Sequence, residues 1–206
     1  LSEAIAARRA RLASLWAPSD AVVLIHAGGL IGRPGGQDQC FPFRVHPHFR
    51  WLTGLSVRDA VLAFDPQAGW TEFFAPVTPL DKVWEGLEPV GRGEPLSALE
   101  GYLAARGGRS VLSLGAGHDS DPASDALERK VLEARRPKDA VELELLRRAV
   151  DATAAGFAVA RALIDEGLTE RTLQIELESA MLHAGADTMG YDTIVGFGPT
   201  SAIFHA

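Results

Sequence analysis

The apolar positions fall into two textures along the chain. Up to about residue 115, short β-branched runs alternate with helix-like stretches. Ser2 and Glu3 can open a helix in which Ile5, Leu12, Leu15 and Trp16 share a face, and Pro18 closes it. VVLIHA (22–27) reads as a strand, followed by the Gly-rich loop GGLIGRPGGQDQ (28–39). FRVHPHFRWLTGL (43–55) has mixed character. DAVLAFD (59–65) and TEFFAP (71–76) form two strands around Pro66, Gln67 and Gly69, the pattern of a hairpin. PLDKVWEGLEPVGRG (79–93) reads as loop. PLSALEGYLAAR (95–106) reads as a helix with Pro95 in its first turn, and SVLSLG (110–115) as a further strand. Strand and helix alternating over short connections predict an α/β layer.

From about residue 122 the periodicity becomes helical. ALERKVLEARRP closes at Pro137. Asp139 then caps a long helix whose Val141, Leu145, Ala149, Ala152, Phe157, Ala160 and Ile164 form one apolar stripe, stopped by Gly167. Thr169 caps a second helix that ends at Gly185, and YDTIVGFG reads as a strand. A domain boundary is expected near 130–138. Two helices and little sheet cannot bury their own apolar faces, so the remainder of the second domain is expected outside this sequence.

Composition narrows the classes. Hydrophobic residues make up 47% and charged residues 23%, as in ordinary globular chains. The net charge of −7 argues against a nucleic-acid surface, and no apolar run reaches the roughly 18–20 residues of a membrane span. One cysteine, Cys40, excludes an internal disulfide and fits a reducing compartment. The N-terminus lacks a signal peptide's apolar core, so a cytoplasmic location is expected, and Leu1 in place of Met implies trimmed leading residues.

Residue chemistry alone completes no active site. HAGGLIG fails the GxGxxG spacing; GFGPTSA matches only a relaxed form, with Pro199 after the second glycine. His46 and His48 have a His-x-His spacing that on a strand could grip a metal, but Pro47 intervenes and no carboxylate cluster accompanies them, so a structural role is the better reading. Glu142 and Glu144 read as the solvent face of a helix. No nucleophile motif surrounds Cys40.

Five segments, taken together, resemble the Xaa-Pro peptidases, prolidase and aminopeptidase P. They are DQCFPFRVHPHFRWLTG (38–54), DKVWEG with VG (81–91), RRPKDAVELELLRRA (135–149), GLTERTLQIELE (167–178) and YDTIVGFGPTSAIFHA (191–206). The resemblance implies an α/β creatinase-like N-terminal domain (1–134), with a mixed sheet and flanking helices, followed by the opening of an incomplete α+β pita-bread metallopeptidase domain (135–206). It implies hydrolysis of the bond preceding proline in Xaa-Pro peptides, with dipeptidase favoured over aminopeptidase P because FPFRVHPHF looks closer to prolidases. His205 matches the family's active-site histidine, which contacts the scissile carbonyl. Tyr191 matches a pocket tyrosine, and Trp84 and Asp38 match N-domain residues that reach a neighbouring subunit's site, implying a homodimer or larger oligomer. The family's two divalent ions, expected to be Mn²⁺, are held by two aspartates, one histidine and two glutamates that all follow the histidine matched by His205. This chain therefore contains none of the metal ligands, which are expected C-terminal to Ala206, and by itself it is expected to be inactive and metal-free. Alanine after His205, where a tyrosine often stands, departs from the pattern. The same architecture also occurs in catalytically dead peptide-binding homologues and in creatine amidinohydrolase.

Overall fold

The computed structural model describes residues 1–16, 20–36, 38–117, 121–164 and 167–203. Pro18, which the sequence places at a helix end, lies outside them. Two compact units divide the chain, Leu1–Pro137 and Lys138–Ala206.

The first unit is built on a mixed five-stranded sheet. In chain order its elements are α1 (Ser2–Trp16), β1 (Val22–His26), α2 (Pro47–Thr53), β2 (Ala60–Asp65), β3 (Gly69–Phe74), α3 (Pro79–Glu85), β4 (Glu94–Pro95), α4 (Leu99–Ala104), β5 (Val111–Gly115) and α5 (Pro122–Arg135). The strand order is β4-β3-β2-β1-β5. β1 pairs antiparallel with β2 and parallel with β5, and β2 and β3 form the antiparallel hairpin. β4 joins β3 in parallel through only two positions, Phe73 with Glu94 and Phe74 with Pro95.

Alternation across β1 explains the layering. Val23 and Ile25 face one side, where Leu12 and Trp16 of α1, Phe49 and Leu52 of α2, and Leu127 and Val131 of α5 bury against them. Val22 and Leu24 face the other side, packed with Phe73 and with Leu99, Tyr102 and Leu103 of α4. A strand covered on both faces reads as a continuous apolar run, which is why VVLI carries no polar alternation. Trp16 anchors the larger core: it is fully buried, its Nε1 donates to the Leu127 carbonyl at 3.3 Å, and its ring lies 5.7 Å from that of Phe64. Removing such a side chain from water contributes about 2–3 kcal/mol.

One ion cluster pins the smaller layer. Asp65, 3% exposed, accepts from Arg106 Nε at 2.7 Å and Arg109 Nη1 at 2.9 Å, and its Oδ1 also accepts from the Gln67 amide at the hairpin turn. Burial pushes this carboxyl upward. The Gln67 amide and the two guanidiniums outweigh it and hold the group below the usual range.

Several elements differ from the sequence reading. FRVHPHFRWLTGL contains the helix α2, which His46 caps by accepting from the His48 amide, with Pro47 in the first turn. The stretch read as loop after residue 79 contains α3, closed at its start by a reciprocal Thr78–Asp81 capping box. Pro95 ends β4 instead of opening a helix: a 3₁₀ turn, Leu96–Ala98, precedes α4. These corrections share a cause. Caps decide elements of six or seven residues, which are too short for periodicity to register.

The second unit contains α6 (Ala140–Leu163), α7 (Glu170–His183) and a 3₁₀ turn, Gly198–Ala202. Asp139 caps α6 in a capping box with Glu142, so Glu142 is a cap partner as well as a helix-face carboxylate. Thr169 caps α7. The face that α6 buries is Ala152, Gly156 and Ala160, spaced by four, whereas Leu145, Phe157 and Ile164 of the expected stripe are exposed. Small residues let the helices approach closely: a Cβ on Gly156 would sit 2.6 Å from Met181 Cγ and 3.0 Å from the Leu177 carbonyl oxygen. Ala160 packs with Leu173 and Leu177 while the earlier Gly156 meets Met181 and Leu177, so α6 and α7 run antiparallel. YDTIVGFG pairs with no strand among the described residues. It lies along α7, with Val195 and Phe197 against Leu173 and Leu177.

Candidate functional site

In the second unit, the segment after α7 walls an apolar cleft of about 670 Å³ with Phe157, Arg161, Leu173, Met181 and Tyr191. Tyr191 is 81% exposed at its edge. A carboxylate on α7 holds the segment: Glu170 Oε1 accepts the Phe197 amide at 2.8 Å. Glu178 accepts from Gln174 Nε2 at 2.9 Å, and the nearby Thr193 hydroxyl together with this amide holds its carboxyl below the usual range. Neither glutamate stood out in the sequence, where each reads as one more helix residue. His205 lies outside the described residues.

In the first unit, Trp84 is 78% exposed on α3, beside Leu80 and Val83. Burial, the plain explanation for a tryptophan, does not apply to it: α3 buries no side chain at all. The helix is held from below by Arg58, which bonds Asp81 at 3.1 Å and Glu85 at 2.5 Å. The Glu85 bond is the main reason the guanidinium holds its proton more tightly than usual. Asp38 is exposed in a loop closed by the Gly32–Cys40 bridge and by the Arg33 amide donating to the Gln39 carbonyl at 2.9 Å. A cleft of about 380 Å³ separates the loop's start from α3, lined by Leu30, Phe43, Arg58, Phe74, Asp81 and Glu85.

His46 and His48 make no metal site. Pro47 opens a helix, so the strand geometry that the His-x-His reading required is absent. His48 is 4% exposed, with Arg135 Nη1 at 2.9 Å from its Nδ1 and Glu128 Oε1 at 3.4 Å from its Nε2. Burial lowers its pKa to about 4, helped by His46 and Arg135 and opposed by Glu128. The ring is thus neutral at pH 7. Its Nδ1 accepts from Arg135, which leaves the proton on Nε2, facing Glu128. The nucleotide reading of GFGPTSA fails as well, since a short 3₁₀ turn follows instead of a strand-to-helix crossing. Among the described residues, no three His, Cys, Asp or Glu side chains converge as metal ligands would, and no helix is long and apolar enough to cross a membrane.

Comparison with known proteins places these two units. Residues 5–93 match the family description "Aminopeptidase P, N-terminal domain", and residues 144–206 match "Metallopeptidase family M24". The chain is 27% identical over 193 residues to the Paracoccidioides brasiliensis protein named "Probable Xaa-Pro aminopeptidase PEPP", covering 80% of this chain and 40% of that protein. It is 27% identical over 192 residues to the corresponding Neosartorya fischeri protein, covering 82% and 41%. Its fold is that of the Pseudomonas aeruginosa aminopeptidase PepP, with a TM-score of 0.76 at 22% identity over 98% of this chain and 53% of that one. The Yersinia pestis proline aminopeptidase P II gives 0.75 at 22% identity, covering 100% and 55%. The chain spans about two fifths of the length of the curated relatives it matches. The family implies divalent metal ions, but the described residues offer no ligand cluster to hold them. Along one polypeptide the chain thus matches an aminopeptidase P N-terminal domain followed by family M24 sequence, the order that its Xaa-Pro aminopeptidase relatives share, and its fold is that of the solved aminopeptidases P.

Proposed function

We propose that the natural protein carrying this chain hydrolyses the peptide bond preceding proline. The observation that carries the reading is the co-occurrence, in one chain, of the aminopeptidase P N-terminal domain and M24 sequence. Proline's tertiary amide lacks an N–H, so a dedicated pocket is needed where general peptidases fail. In this reading residues 1–134 form the accessory domain and residues 135–206 belong to the catalytic one.

His205 donates to the scissile carbonyl oxygen as charge builds there, and Tyr191 walls the same pocket. Trp84 and Asp38, both exposed, act on a neighbouring copy's site: the indole covers the substrate, and the carboxylate attracts its amino group. That role makes the protein a homodimer or larger oligomer, and its single cysteine fits the cytoplasm. The family's divalent ions supply Lewis acidity and an activated water when bound, and a carboxylate-rich ligand set with one imidazole suits Mn²⁺. The matched descriptions name aminopeptidase P, which favours a longer Xaa-Pro-Xaa substrate. Dipeptidase, favoured by FPFRVHPHF, is the second reading.

The test compares Xaa-Pro-Xaa with Xaa-Pro hydrolysis by the full-length natural protein with and without Mn²⁺. Metal-dependent cleavage before proline supports the reading, and the preferred length assigns the subtype. Binding of the peptides without cleavage points to a catalytically dead homologue, and cleavage of creatine instead points to an amidinohydrolase.

A further inference from the structure

We propose that Arg58 is a positioning residue for Trp84: it grips two carboxylates of α3 and so fixes the angle at which the indole is presented. Its Nη2 lies 3.1 Å from Asp81 Oδ1, and its Nη1 lies 2.5 Å from Glu85 Oε2. The two partners stand four residues apart, about 6 Å along one helix face. That spacing suits a planar, two-pronged guanidinium better than the point charge of an ammonium. Two points held at once fix both the roll of the helix and its slide. Successive residues turn by about 100°, so Trp84 lies roughly a quarter turn from the gripped face, and its direction follows from the grip.

Arg58 has a firm base. It directly precedes Asp59, whose amide donates to the Gly28 carbonyl at 2.8 Å and whose carbonyl accepts from the Ala75 amide at 3.1 Å. These bonds tie the point to the chain just past β1 and just past β3. Apolar packing gives α3 no comparable anchor, since none of its side chains joins either apolar core of the first unit. The remaining bonds of Asp81 go to Thr78 in the capping box, and Lys82 pairs with the nearby Glu88. Those contacts shape the helix without attaching it to the sheet. A helix of seven residues is too short to persist without tertiary support, and Arg58 supplies it.

The tether stands apart from the peptidase reading; its effect on activity rests on that reading and on the role given there to Trp84. In the full-length natural protein, hydrogen exchange followed by mass spectrometry reads the peptide covering 79–90. Arg58→Met, which keeps the apolar stem, and Glu85→Ala are each expected to speed its exchange about threefold or more. The double variant is expected to exchange no faster than Arg58→Met alone, because both changes cut one interaction. Unchanged exchange, or effects that multiply in the double variant, overturns the tether. Should Arg58→Met fail to fold, Glu85→Ala decides alone, since Glu85 takes no part in the capping box and its side chain is 41% exposed. In the activity arm, Arg58→Met lowers kcat/KM on an Xaa-Pro-Xaa tripeptide, chiefly through KM, and lowers it no further in a Trp84→Ala background. An equal fall in that background means that Arg58 acts elsewhere and overturns the positioning role. Full activity in Trp84→Ala overturns it too, because nothing is left to position. Should wild type cleave nothing, the peptidase reading fails and the exchange result still decides the tether.

Discussion

Acidification from pH 7 to pH 4 loads one buried imidazole in the first unit. His48 is 4% exposed, and its pKa falls from 6.5 to about 4. The groups that face it are Arg135, His46 and Glu128. The unfolded chain takes up a proton near pH 6.5 and the folded chain only near 4, so between those values protonation favours unfolding. Above pH 6.5 the penalty is absent; it grows as pH falls and is complete below about 4. A shift of about 2.5 units corresponds to about 3 kcal/mol, a large part of a domain's net stability. Burial is the main source, and a protonated ring would also turn an Nδ1–H toward Arg135 Nη1, only 2.9 Å away. Urea unfolding followed by tryptophan fluorescence measures the effect, because all four tryptophans lie in the first unit. His48→Gln removes the titration, so the stability of wild type relative to this variant is expected to fall by about 3 kcal/mol from pH 7 to pH 4. The comparison also removes the contributions of Asp65 and of Glu72, which Arg9 and Arg92 hold: their lowered carboxyls start to lose stabilisation as pH falls below the ordinary carboxylate range, equally in both proteins. Parallel pH profiles for the two proteins would refute the reasoning.

Asp65→Asn is expected to cost the first unit about 3 kcal/mol in urea unfolding, because Arg106 and Arg109 lose a buried counter-charge. Gly156→Ala sets a helix-propensity gain of about 1 kcal/mol against overpacking of about 1–3 kcal/mol on Met181 and the Leu177 carbonyl. A net loss in the thermal unfolding of the second unit is expected, and a stabilised variant would show that the helices can part freely. Trp84→Ala is expected to change stability by less than about 0.5 kcal/mol, given its exposure, while lowering the proposed peptidase activity of the full-length natural protein. Equal activity in both forms would remove Trp84 from the site.

The parts of the fold that the sequence disclosed are those with strong local patterns. β1 and β2 are buried along their length and read as apolar runs, and Asp139 and Thr169 announced α6 and α7 as caps. The α6 stripe was right at Ala152 and Ala160 and wrong at its bulky members, because the face that α6 buries, with Gly156, is its small one while Leu145, Phe157 and Ile164 are exposed. YDTIVGFG alternates like a strand, yet its neighbour is a helix, a distinction that periodicity cannot make. Arg135 meets His48 across 87 positions, a pairing that no local spacing encodes. Tyr191 and Trp84 were found only through family likeness, since an exposed aromatic carries no local signature of its purpose.

The two-residue strand β4 limits how the first unit can grow. At the outer margin of the sheet stand a carboxylate, Glu94, and a pyrrolidine ring, Pro95, which has no amide to donate. A visiting strand would find there little length and at most one amide donor, that of Glu94, to template on. At β4 itself, copies of this protein would have to recognise one another through side chains, since so short a backbone is a poor template for the stacking from which fibrils begin.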